Sequence, residues 1–525
     1  MIQMNNKQVE GLIMFKKWLS VILSVAGVLA FITGCSTNEI DRGETSQEPK
    51  VTAEAKEGEM ATKVPKYVFM FIGDGMSQVQ VNSAQVYEGS NVYGDVRTSN
   101  LSFTQFPVTG LVTTQNSSSF VPDSASTATS LSSGVKTHSG VIGLNVDKTE
   151  ATKTIAEQMK ESGKKVGIVS SVTLNHATPA AYYAHVESRG MYYEIANQLA
   201  ESNFDYFGGG SLSQPTGKDN NQKDAFEIIK ENGYTIANTK EDILALDENS
   251  GKVYAVSPVL QDGGSLPYYI DTKAGDLTLT DFVQKGIDVL DNDEGFFMMV
   301  ESGKVDWSCH ANDAMTAIQE VLGFESAIDV AIAFANEHPE ETLIVVTGDH
   351  ETGGMSIGFA ATGYDTAFNL LDAQKMSYVA FDELVKAKKE ENPNLTFEEM
   401  LPMIKENFGL LTADDEAAAV KENQAFVLSD YELAKLQAGF EESMKAVEDR
   451  TSSEENDLLY GGYDPLSVSL THILNNKAGI GWTSYAHTGT PVAVYAMGVG
   501  SEKFSGFYDN TDVYHKLVEV TGLKE

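Results

Sequence analysis

The sequence predicts an α/β fold, a three-layer sandwich whose central, mostly parallel sheet is covered by helices on both faces. Three observations carry that expectation. Largely apolar runs of four to seven residues recur at 67–72, 166–172, 296–300, 343–346 and 492–497, and continuous apolar strands of that length belong to a sheet buried on both sides. Helical stretches at 154–161, 192–199, 282–290 and 314–335 lie between them, the alternation of a parallel sheet with crossover helices. Polar residues of ligand type directly follow several of the runs, where such sheets gather their ligands.

The chain of 525 residues, 42% apolar, is long enough for one large domain with insertions. Its formal charge of −38 argues against nucleic acid or anionic membrane surfaces as partners, since phosphate backbones are held by Lys and Arg. Two cysteines cannot form a disulfide framework. Lys16-Lys17 precede an apolar stretch that closes at Ile32-Thr-Gly-Cys35, a signal peptide over 1–35 rather than a membrane span. The ending resembles a bacterial lipobox, which makes Cys35 the lipidated N-terminus of an extracytoplasmic, membrane-tethered protein. Met14 offers a more usual signal start than Met1. Residues 36–64, rich in Ser, Thr, Glu and Lys, read as a flexible tether before a catalytic domain at 65–525.

From about 364 to 459 the chain becomes charged and helical, with capping-box patterns at Thr396/Glu399, Thr412/Asp415 and Ser429/Glu432. Leu433, Leu436, Phe440, Met444 and Val447 then fall on one helical face. A helical insertion is expected here, its stripe packed on the main domain. A dimer contact or a rim over the site is the alternative.

The stretch Val121-Pro-Asp-Ser-Ala-Ser-Thr-Ala-Thr129 places Ser124 where a helix can begin. An open helix N-terminus favours both an alkoxide and a phosphate dianion, yet a serine needs a base or a metal to become a nucleophile; an ordinary Asp-Ser cap is the plain alternative. The remaining chain supplies metal-type side chains. Gly73-Asp74-Gly75 ends the first run, and Asn175-His176-Ala-Thr178 follows the second. Glu301-x4-Asp306-x3-His310 follows the third, and Thr347-Gly-Asp349-His350 closes the fourth. Asp74, Glu301, Asp306, Asp349, His310, His350 and His487 are four carboxylates and three imidazoles, whose mixed N/O ligation suits zinc, while Asp74, Thr178 and Glu301 form an all-oxygen set suited to magnesium. Singly, an Asp-His pair is a cap or a salt bridge; jointly they point to a metal centre. Cys309 is expected to pack in the core.

Val121 to Thr129, Gly73-Asp-Gly75, Glu301 to His310, Thr347-Gly-Asp-His-Glu-Thr-Gly-Gly354 and His487-Thr-Gly489, in that family's order, resemble the bacterial and animal alkaline phosphatases from about Lys66 to the C-terminus, the insertion excepted. The resemblance implies a phosphomonoester hydrolase with two Zn²⁺ and one Mg²⁺ per chain and Ser124 as the nucleophile that becomes a phosphoserine. Asp306, His310 and His487 correspond to the first zinc site. Asp74, Asp349 and His350, with Ser124, correspond to the second, and Asp74, Thr178 and Glu301 to magnesium. Arg189 matches the arginine that holds two phosphate oxygens. His176 and Trp307 stand where the best-known bacterial pattern has an aspartate beside the magnesium and a lysine near the phosphate.

Such parts make physical sense together, because two metals about 4 Å apart stabilise both the attacking and the leaving oxygen of an in-line displacement. Partners are therefore small phosphomonoesters. The sequence leaves the assembly open, a homodimer included. A diesterase of the same superfamily, or a tethered lipoprotein that captures phosphate or metal, are the competing readings. A sulfatase is disfavoured, because Ser124 is not followed by x-Pro-x-Arg.

Overall fold

The computed structural model describes residues 63–93 and 96–524. The signal peptide, Cys35 and all of the tether except Lys63 and Val64 lie outside the described residues. Among the described residues no helix is long and apolar enough to cross a membrane.

The described residues form fourteen strands: β1 (Tyr67–Gly73), β2 (Val108–Thr113), β3 (Lys165–Ser170), β4 (Tyr206–Gly209), β5 (Thr235–Ala237), β6 (Val253–Val256), β7 (Phe296–Ser302), β8 (Thr342–Gly348), β9 (Glu351–Thr352), β10 (Ser356–Ile357), β11 (Ile480–Gly481), β12 (His487–Thr488), β13 (Val492–Gly498) and β14 (Gly506–Asp509). Ten build one sheet in the order β14-β2-β13-β8-β1-β7-β3-β4-β6-β5. Only β13 runs against its neighbours; it pairs antiparallel with both β8 and β2. The predicted apolar runs are all strands of this sheet, and the α/β sandwich is the observed fold.

Strand alternation divides the core into two layers. Tyr67, Phe69 and Phe71 of β1 join one hydrophobic cluster with the helices Leu279–Leu290 and Ala314–Glu337. Val68, Met70 and Ile72 join the other with the helices Ser124–Ser133, Tyr192–Glu201 and Thr511–Thr521. Each large side chain so buried contributes about 1.5–3 kcal/mol, and every residue of β1, β7 and β8 is buried.

The four central strands lie side by side, with Gly73 level with Ser302 and Gly348, and Ser170 level with Glu301. Their carboxyl ends therefore share one edge, and the residues that follow them meet there.

The insertion packs on the main domain. Its helix Asp430–Ser443 runs against Pro465–Ala478, where a Cβ at Gly439 would stand 2.7 Å from the Pro465 carbonyl, so glycine permits the close approach. Leu436 and Phe440 are buried, and Leu433 and Met444 pack against the same cluster. Val447 does not belong to the stripe; the helix ends at Ser443, and Val447 is 74% exposed. The Thr396/Glu399 and Ser429/Glu432 boxes form. The Thr412/Asp415 pattern starts no α-helix: Asp415 binds Lys405 and accepts from the Ala417 N–H, capping only the 3₁₀ turn Glu416–Ala419.

Candidate metal centre

Ser124 opens a helix made of small residues. Asp123 caps it by accepting from the Ser126 N–H at 3.2 Å, and Gly134 closes it in a left-handed conformation. Every residue from Ser124 to Ser133 is buried, which costs little because Thr129, Ser130 and Ser133 return their hydroxyls to carbonyls one turn back. Asp123 also pairs with the Arg189 guanidinium at 3.1 Å, so one carboxylate fixes the helix start and the arginine beside it.

The Ser124 hydroxyl faces His350 Nε2 at 3.1 Å and Asp74 Oδ1 at 3.4 Å. His350 Nε2 lies 3.1 Å from Asp74 Oδ1 and 3.4 Å from Asp349 Oδ2, and the Thr178 hydroxyl donates to Asp74 Oδ2 at 3.3 Å. Asp349 is braced by the Thr127 hydroxyl at 2.9 Å and the Gly75 N–H at 3.2 Å. Gly75 has φ 73°, and a Cβ there would stand 2.7 Å from Asp306 Cα, so only glycine lets the two segments meet.

Asp306, His310 and His487 converge: Asp306 Oδ1 is 3.3 Å from His310 Nε2 and 3.5 Å from His487 Nε2, and the two Nε2 atoms are 3.1 Å apart. Their outer Nδ1 atoms face the backbone carbonyls of Tyr485 and Pro122. Donation to a carbonyl places the proton on Nδ1 and leaves the Nε2 lone pairs aimed inward. The short strands β9 and β12 pair antiparallel and bring His487 beside Thr352, and the His350 and His487 rings stack with centroids 3.6 Å apart.

Three groups of donor atoms each lie within 4.8 Å of one another: Asp306, His350 and His487; Asp74, Asp349 and His350; and Asp74, His176 and Glu301. Asp74, His176, Glu301, Asp306, Asp349, His350 and His487 of the expected ligands fall in these groups, while His310 and Thr178 do not. In the first group His350 stands in place of the expected His310, and in the third His176 joins Asp74 and Glu301. Glu301 Oε1 and His176 Nδ1 are buried without a protein partner, although buried polar atoms are almost always satisfied. A cation fits such a donor set.

The electrostatics agree. Burial, then the charges of Asp306 and Glu301, hold Asp74 well above the usual carboxylate range. Burial pushes Glu301 and Asp349 up to about 8. Asp306 is held well below its ordinary value despite burial, because His310, His487 and His350 surround it. His310 rises to about 9 against the opposing effect of burial, driven by Asp306. Burial lowers His487 and His176 to about 3, with help from His350 and Arg189 respectively. Carboxylates crowded so closely are stable as anions only when positive charge is added.

A cavity of about 390 Å³ opens over this cluster. Ser124, His176, Arg189, Asp306, His310 and His487 line one part of it, and Asp262, Trp307, Tyr378 and Tyr463 the rest. The Trp307 and His176 rings meet edge to face at 5.6 Å. Cys309 is buried in the core, apart from the donor groups. Sequence reasoning missed Asp262, Tyr378 and Tyr463, and the bracing by Thr127 and by Thr352, which donates to Asp306.

The alkaline phosphatase family model matches residues 65–523. The chain belongs to the alkaline phosphatase family. Alkaline phosphatase 4 of Bacillus subtilis is 33% identical over 511 residues, which span 95% of this chain and 96% of that protein. The cold-active alkaline phosphatase of a psychrophilic Shewanella superposes with a TM-score of 0.68 at 27% identity, over 87% of this chain and 99% of its own. The alkaline phosphatase of the Antarctic bacterium TAB5 has been solved as a histidine-to-aspartate variant with Mg bound in its M3 site; it superposes at 0.59 with 26% identity, over 88% of this chain and all of its own. Membership makes the chain a phosphatase of the hydrolase class from a metal-dependent family, and the buried donor groups are those such an enzyme requires.

Proposed function

We propose that the chain hydrolyses phosphomonoesters through a phosphoserine at Ser124, with two Zn²⁺ and one Mg²⁺ per chain, outside the cytoplasm and anchored to a bacterial membrane through lipid on Cys35. The observation that carries the reaction is the place of Ser124 Oγ, at a helix N-terminus and within 3.5 Å of both His350 and Asp74. Asp306, His310 and His487 would hold one zinc. Asp74, Asp349 and His350 would hold the other, and Asp74, Thr178 and Glu301 the magnesium, with His176 beside it. Bound there, the ions supply Lewis acidity and lower the pKa of hydroxyl and water.

The chain's own groups do the rest. Arg189 offers its planar fork to two phosphoryl oxygens, and Asp123 keeps that fork in place. Ser124 Oγ forms a bond to phosphorus as the bond to the alcohol oxygen breaks, and the serine proton leaves with the alcohol. Water then attacks the same phosphorus, the bond to Ser124 Oγ breaks, and inorganic phosphate departs while the hydroxyl is restored. The test compares an aryl phosphomonoester with the matching diester and sulfate. The monoester should be favoured by orders of magnitude; diester turnover equal to it, or phosphate bound without turnover, rejects the reading.

His176 gives a second expected result. As a neutral imidazole it lends the third donor group less negative charge than a carboxylate would, so His176→Asp should tighten Mg²⁺. The aspartate also faces Arg189, whose NH2 lies 3.4 Å from His176 Nε2, and it should draw that fork from phosphate and lower kcat. A Mg²⁺ reactivation titration of zinc-loaded protein reads both effects; equal or weaker Mg²⁺ affinity in the variant removes His176 from the site.

A further inference from the structure

The cavity has a part that the phosphoryl group does not occupy in this reading. Asp262, Trp307, Tyr378 and Tyr463 line it, and none of them belongs to the donor groups. Asp262 is set there by a turn in which Gln261 and Ser265 bridge antiparallel, and it takes a left-handed φ of 48°, a conformation that Asp and Asn tolerate best after glycine. Its carboxylate accepts one long bond, 3.4 Å, from the Tyr268 hydroxyl; no Lys, Arg or His among the described residues forms an ion pair with it, and its charge is felt from a distance by the buried Lys304.

The aromatic part is held together by ring and hydroxyl contacts. Tyr378 and Tyr463 meet edge to face at 5.8 Å. The Tyr378 and Tyr268 hydroxyls are 3.0 Å apart, and Trp307 packs in the same small cluster. That cluster already accommodates one cation on its buried side: Lys304 Nζ stands 3.6 Å from the Tyr268 ring centroid and 5.8 Å from that of Trp307. Lys304 is fully buried and donates to the Leu266 carbonyl at 2.7 Å, so it is committed away from the opening.

Aromatic faces beside a carboxylate with no direct ion pair are what recognises an organic ammonium. Resting on the phosphomonoesterase reading, we propose that Asp262, Trp307, Tyr378 and Tyr463 select monoesters whose alcohol carries a cationic nitrogen near the ester oxygen. Arg189, beside the donor groups that would hold the ions, binds the phosphoryl end, and the aromatic-acid wall reads the alcohol. An alcohol bearing an anion meets the charge of Asp262 and is disfavoured.

The test uses choline phosphate and 3,3-dimethylbutyl phosphate on the metal-replete enzyme. They share one shape and differ by a quaternary nitrogen in place of a carbon, so the charge does not vary with pH. The ratio of kcat/KM should favour the choline ester about fivefold at low ionic strength, as for a partly exposed charge contact, and should shrink with added salt. Asp262→Asn, which keeps the left-handed backbone, should bring the ratio below about twofold. Tyr463→Leu, which keeps the carboxylate, should also lower it. A wild-type ratio near one, or a ratio that survives both substitutions, overturns the proposal. An aryl monoester run alongside separates the two readings: if it is hydrolysed and the choline ester is not preferred, only the selectivity falls; if none of the three is hydrolysed, the phosphomonoesterase reading falls and the selectivity with it.

Discussion

Ser124→Ala should cut the hydrolysis of an aryl phosphomonoester by roughly a thousandfold or more while the protein stays folded. The helix keeps its start, because the cap is Asp123 rather than Ser124, and the lost hydroxyl leaves Asp74 and His350 facing each other at the 3.1 Å they already have. Hydrolysis could persist weakly by direct attack of water, so rate alone does not identify the nucleophile. Intact-protein mass spectrometry after a mildly acidic quench does. The wild type should carry a phosphoryl adduct that maps to Ser124, and the variant none. An adduct on another residue would refute the assignment.

Exhaustive chelation should abolish activity, and Zn²⁺ with Mg²⁺ should restore it. It should also lower the melting temperature by on the order of 10 °C, since each ion held at a thousandfold excess over its Kd contributes about 4 kcal/mol to the folded state. Among the protein groups alone, Glu301 and Asp349 sit at about 8 and His310 at about 9, all above their unfolded values. Between pH 6.5 and 9 these three groups bind more protons in the stripped folded protein than in the unfolded chain, and their contribution to stability falls as pH rises. The raised carboxylates bring their full penalty above pH 8, and the His310 pair loses its benefit as pH approaches 9. Calorimetry of the stripped protein should therefore show a lower melting temperature at pH 9 than at pH 6.5. Unchanged melting and activity after chelation reject the metal reading altogether.

Much of the layout was legible because the central strands are fully buried and so read as unbroken apolar runs, each ending abruptly in Asp74, Glu301 or Asp349. Burying a charge is costly, so the first acid marks the ligand edge of the sheet, just past β1 and β8 at Asp74 and Asp349 and inside the end of β7 at Glu301. The reversed direction of β13 was not legible, for periodicity reports burial and not direction. Asp262 reads in sequence as one more acid in a Gln-Asp-Gly-Gly turn. Tyr378 reads as the opening of an ordinary amphipathic helix, and it meets Tyr268 and Tyr463 only once the insertion has docked. Thr412 and Asp415 matched a capping pattern by type, yet Lys405, ten residues upstream of Asp415, binds its carboxylate and no α-helix follows. Local signals fail where a distant partner decides.

The β9–β12 pair has a kinetic meaning. Thr488 bonds Glu351 across 137 residues of chain, with the whole insertion lying between His350 and His487. Closing so long a loop carries an entropic cost that nearby contacts must offset first. The two imidazoles thus meet only after the intervening helices have collapsed onto the sheet. A metal ion bound through His487 would seal a nearly finished chain rather than nucleate it, so a cell short of that ion would accumulate a compact precursor instead of an unfolded polypeptide.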